Sequence, residues 1–143
     1  MKLESAAPKP IRLAEYTPPA FRIKTVDLRF ELDPAATRVT NRMAVERNPG
    51  HKGAPLVLNG EHVDLLSVAV DGRELGPDAY ERDERTLTLP GVPNRFELTV
   101  ITECHPKDNT ALEGLVHPSG NFCTQCEAEG FRTHHLLSWT ART

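Results

Sequence analysis

Phe96-Glu97-Leu98-Thr99-Val100-Ile101-Thr102 is the stretch on which the fold turns. Apolar and polar side chains alternate along it at a period of two, the signature of a strand with one buried face. Pro90-Gly91-Val92-Pro93 precedes it as a turn, and Arg85-Thr86-Leu87-Thr88-Leu89 alternates in the same way before that turn. Working upstream, Asp71-Gly72 is a two-residue hairpin signal behind an apolar run from Val63 to Val70. Leu56-Val57-Leu58 is a shorter apolar piece that ends in the turn Asn59-Gly60. Still earlier, Val26, Leu28, Phe30 and Leu32 fall on one face with charges between them, which predicts a half-buried strand starting near Phe21. Asp33-Pro34 turns that strand into a partner over Thr37 to Arg47. There Val39, Met43 and Val45 are expected inside, and Arg38, Arg42 and Glu46 in water. Asn48-Pro49-Gly50 stops it. No long segment holds a helical period of 3.6 residues. The expected fold is therefore all-β, an antiparallel sandwich or a curved, saddle-like sheet.

Composition narrows the function. The chain has 143 residues, one domain's worth, with 17 basic against 20 acidic side chains and a net charge of −3. No basic patch dominates, so nucleic acid and anionic membrane surfaces are not expected partners. No apolar run approaches the roughly 20 residues that span a bilayer, and Met1 to Pro10 holds no apolar core of a secretory signal. The cysteine count is 3, an odd number that argues against a disulfide scaffold and for reduced thiols in a cytoplasmic protein. Residues 1–20, with Pro8, Pro10, Pro18 and Pro19, read as an extended arm, and residues 21–132 as the β domain.

Polar and ionisable groups concentrate further on. Asn109-Thr110-Ala111-Leu112-Glu113-Gly114-Leu115 leads into Phe122-Cys123-Thr124-Gln125-Cys126-Glu127-Ala128-Glu129-Gly130-Phe131-Arg132. Together with Asp27-Leu28-Arg29-Phe30-Glu31-Leu32-Asp33 and Pro55-Leu56-Val57-Leu58-Asn59-Gly60-Glu61, these stretches resemble the N-terminal domain of the M1 family of zinc metallo-aminopeptidases. The likeness runs from about Tyr16 to Arg132. It implies a β domain packed against a thermolysin-like catalytic domain, with zinc held in that second domain. It also implies that Gln125 and Glu127 face the active site, where they recognise the free α-amino group of a peptide substrate and line the pocket for its first side chain.

The chemistry of those two residues fits that role. An exopeptidase must tell an N-terminal ammonium from an internal amide. A fixed carboxylate does so by charge, since glutamate with its ordinary pKa near 4.3 is ionised at neutral pH. A neighbouring glutamine adds a neutral donor and acceptor. Without the resemblance, the same two residues would read as a solvated loop tip.

The departures are equally informative. The zinc motif His-Glu-x-x-His needs two histidines four apart on a helix, and none of His51, His62, His105, His117, His134 or His135 has such a partner. The family's Gly-Ala-Met-Glu-Asn stretch is absent as well. The chain is thus expected to carry no catalytic residue and no metal ligand of its own, and not to hydrolyse peptides alone. Past Arg132 the family reads towards Asp-Arg-Pro-Asp, whereas this chain ends Ser138-Trp139-Thr140-Ala141-Arg142-Thr143. A shifted reading of plausible codons for that ending contains Leu-Asp-Arg-Pro-Asp, so residues 133–143 are expected to be an out-of-frame tail.

Other features keep two readings each. Cys123 and Cys126 are either reduced structural thiols or, with His134 and His135, a zinc or redox group, and Cys104 reads as a spare thiol at a strand end. Glu129 is either a second acidic wall of the site or the ion-pair partner of Arg132. Glu113 pairs or caps locally. The rival to a peptidase portion is a free-standing β-sandwich binding module without enzymatic activity.

Overall fold

Strand β8, Arg95–Cys104, is the central strand of the molecule in a computed structural model that describes residues 10, 12–110 and 113–126. Its alternate side chains Phe96, Leu98, Val100, Thr102 and Cys104 are all buried, as the two-residue period demands. On one side it pairs antiparallel with β2, Thr37–Arg47, which itself pairs with β1, Phe21–Glu31. On the other side it pairs with β4, Asp64–Val70, which continues into the two-residue β5, Arg73–Glu74. The resulting order is β1-β2-β8-β4-β5. A smaller sheet, β3-β7-β6, is built from Leu56–Asn59, Thr86–Leu89 and Glu81–Arg82. Last comes the strand pair β9, Gly114–Val116, and β10, Cys123–Gln125.

Leu56, Leu58, Leu87 and Leu89 of the small sheet join Met43, Val45, Val68, Leu98 and Val100 of the large one in a single apolar cluster. All sheets are antiparallel, and the all-β expectation is borne out. Among the described residues the other regular elements are short 3-10 turns. None of the described helices is long and apolar enough to cross a membrane, a statement that says nothing of β-barrels.

The turns follow their local chemistry. Asp71 and Gly72 take φ of 50° and 80°, the left-handed pair of a type I′ hairpin, and Val70 faces Arg73 across it. At the β1–β2 turn, Asp33 Oδ1 accepts from the amides of Ala35 and Ala36 at 2.8 and 3.1 Å. The buried Thr37 hydroxyl donates to the Asp33 carbonyl at 2.8 Å. At the far end of β2, Glu46 gathers Lys24, Arg95 and Arg22 at 3.1, 3.3 and 3.7 Å, and the Lys24 hydrogen bond lowers its carboxyl pKa.

One expectation is corrected. Of the apolar set on and just after β1, Leu28 is partly buried, but Val26, Phe30 and Leu32 are 46%, 37% and 53% exposed. They do continue the inner face, since Val26 lies opposite Met43 and Phe30 opposite Val39, both fully buried. The reason is position. β1 is an edge strand, and of its side chains the described core takes Phe21, packs Ile23 against it, and reaches no further. The proline-rich arm, the 21–132 boundary and the 133–143 tail run largely into residues outside those described.

Candidate functional site

Gln125 ends β10, exposed, opposite Gly114 of β9. The pair is only three residues deep, so something beyond its own ladder must hold it. Asn109 does this: its side-chain amide donates to the carbonyls of Glu113 and Leu115 at 2.7 and 2.9 Å. Two bonds from one amide fix the strand against which Gln125 is registered. Gly114 itself has φ of 82°, a left-handed turn that suits glycine. Leu115 and Val116 are buried and anchor β9 on the core. Asn109, Gly114 and Leu115 thus support the next strand, and Glu113 sits exposed at the bend before it.

Beside this support lies a cleft of about 290 Å³ whose rim carries Glu61, Asp108 and Glu113 with His62 and His105. Three carboxylates on one rim favour a cation over an anion. Glu127, the other residue expected at the site, and Glu129 and Arg132 lie outside the described residues.

One of the two histidines of that cleft, His105, is committed elsewhere. His105 Nδ1 lies 2.8 Å from the Ala35 carbonyl, and Nε2 lies 2.9 Å from Asp64 Oδ2. Both contacts are to oxygen acceptors, an arrangement that favours the protonated ring. The Asp64 bond, followed by the Ala35 bond, raises the His105 pKa above its ordinary value. Asp64, Glu103 and His105 bring one potential ligand atom each within 4.8 Å of one another. Nε2 of His105 is engaged by Asp64, and exposed acidic groups of this kind are common without an ion, so the three residues read first as an ion-pair cluster.

A pH dependence follows from this ion pair. The folded-state pKa of His105 is raised, so its contribution to stability is fully present below about 6.5, the unfolded value. It is lost as pH rises through the higher folded value. The urea midpoint is expected to fall over that window in the parent chain and to change less in His105→Gln. Equal slopes in the two proteins would show that the pair is not coupled to folding.

The three thiols differ. Cys104 is buried at the end of β8, and desolvation pushes its pKa up to about 11, so it stays a thiol. Cys123 and Cys126 are exposed, on and just after β10. Desolvation raises the Cys126 pKa too, the opposite of what an activated redox cysteine needs. His134 and His135, their proposed co-ligands, lie outside the described residues.

No family model matches the chain. It is 47% identical to aminopeptidase N of Caulobacter vibrioides over 131 residues, which is 92% of this chain and 15% of that protein. Against aminopeptidase N of Escherichia coli it is 42% identical over 124 residues, 85% of this chain and 14% of that protein. The chain is similar in sequence to a part of aminopeptidase N. Among solved structures, Legionella pneumophila aminopeptidase A in complex with aspartic acid matches with a TM-score of 0.79 and 27% identity, over 90% of this chain and 15% of that one. The likeness expected from the Asn109 and Phe122 stretches is therefore borne out in sequence and in fold. The chain spans only 14–15% of the length of the curated aminopeptidase N relatives it matches.

Proposed function

We propose that this chain is the N-terminal recognition portion of an M1-type zinc aminopeptidase, in which Gln125 and Glu127 hold the free α-ammonium of a peptide substrate. The observation that carries the reading is the 47% identity to aminopeptidase N across 92% of the chain. Its support in the fold is the position of Gln125, exposed at the end of a strand pinned by Asn109, one residue pair from an acid-rimmed cleft. A carboxylate at position 127, two residues on, would supply the charge that the ammonium needs, and Gln125 the neutral contact that orients it.

Hydrolysis, and the zinc that polarises the scissile carbonyl, belong in this reading to a part of the full-length enzyme outside this chain. The chain alone binds and does not cleave. Cytoplasmic location is part of the same reading, supported by the odd cysteine count of 3.

The test uses a full-length homologue. A charge-assisted hydrogen bond contributes about 1.5–3 kcal/mol, so Glu127→Ala is expected to raise KM for an aminoacyl-nitroanilide by roughly ten- to a hundredfold. Preference for free over blocked N-termini should fall with it. Gln125→Ala should act in the same direction and less. Unchanged kinetics in Glu127→Ala would remove that residue from the amine site.

A further inference from the structure

Among the described residues, the large sheet ends at β1. β1 is 11 residues long and, among the described residues, pairs with β2 alone. Its inner face carries the exposed apolar residues Val26 and Phe30, with Leu28 between them. A long, apolar edge of this kind is a template for another strand unless charge forbids it. Here the outward-facing charges Asp27 and Arg29 form no ion pair with another described residue, although Arg22, Lys24 and Arg42 on the same face do.

We infer that β1 is a docking edge for a second copy of this chain, the two β1 strands pairing antiparallel about a twofold axis at Leu28. In that register Val26 meets Phe30 of the other copy, and Asp27 meets Arg29, each pair occurring twice by symmetry. Thr25 then faces Glu31. Apolar residues stay on the inner face and opposite charges meet on the outer one, so the pattern is self-complementary.

The neighbouring registers that keep the faces matched are disfavoured. A centre at Asp27 sets Asp27 against Asp27. A centre at Arg29 sets Arg29 against Arg29 and Asp27 against Glu31. Like charges directly opposite are destabilising, so charge selects the Leu28 register from its neighbours. Main-chain hydrogen bonds along the edge supply affinity, and these side-chain pairs supply the register. The inference is independent of the peptide-recognition reading and uses none of its residues.

Sedimentation equilibrium of the 143-residue chain tests it. The parent chain is expected to show a concentration-dependent monomer–dimer equilibrium. Asp27→Arg, which turns both attractive pairs repulsive, should raise the dimer dissociation constant roughly tenfold or more. Arg29→Asp should do the same, and the double variant Asp27→Arg with Arg29→Asp should restore the parent value. Restoration in the double variant also excludes misfolding as the cause of either single loss. A parent chain that stays monomeric overturns the proposal, including the case where another segment of the same chain covers β1. So does a dimer, or a larger aggregate, indifferent to all three variants.

Discussion

Leu98→Ala is expected to lower the unfolding free energy by about 3–5 kcal/mol, the upper part of the range for leucine truncation in a core. Leu98 is 0% exposed, sits on the central strand, and faces Met43 on β2 and Val70 on β4. Neighbours on both strands and the small sheet above cannot all move to fill the void, so transfer and cavity costs add. A domain of this size has about 5–15 kcal/mol in total, which leaves the variant near its folding threshold. Leu66→Ala is the control. Leu66 stands at the register shift between Leu65 and Ser67 and is 45% exposed, so its truncation should cost within about 0.5 kcal/mol. Urea denaturation followed by circular dichroism measures both. Similar midpoints for the two variants would show that Leu98 does not lie in a closed core.

Arg47→Met is expected to cost about 2–4 kcal/mol, though the residue looks in sequence like one more charge at a strand end. Its guanidinium donates to Asn94 Oδ1 at 3.0 Å and to the carbonyls of His51, Ala54 and Val92 at 2.8, 2.7 and 2.9 Å. It also lies 4.5 Å above the ring of Phe21, which meets Phe96 edge-on. Methionine keeps the stem and leaves three carbonyls without this donor. Lysine keeps the charge and cannot reproduce a planar fork, so Arg47→Lys should recover little of the loss. Parent-like thermal stability in Arg47→Lys would mean that charge, and not geometry, holds the two loops.

The contrast between these residues shows how far a sequence reads. Alternation placed Val39, Met43, Val45, Leu98 and Val100 inside, and each is buried. It could not tell Leu28 on an edge from Leu98 at the centre, because both alternate and burial depends on what lies across the sheet. The short strands of Arg73–Glu74, Glu81–Arg82 and Cys123–Gln125 carry too few residues for a period to register. At the candidate site, the sequence brought Gln125 to notice through likeness. The role of Asn109 as its prop was invisible, since a hydrogen bond to a carbonyl six residues away has no compositional mark. Arg47 was silent for the same reason, with acceptors up to 47 residues distant.

What the sequence determined by itself is local and periodic: an all-β chain, most of its turns, and its likeness to a part of aminopeptidase N. Steric preferences at Asp71-Gly72 and a period of two along β8 act within a few residues, so they are written there directly. The tertiary structure alone decided that β8 lies between β2 and β4, that β1 is left at an edge with Val26 and Phe30 exposed, and that His105 is held between Ala35 and Asp64. Those outcomes depend on strands far apart in the chain meeting in one register, and the free energy that selects the register is shared among all of them.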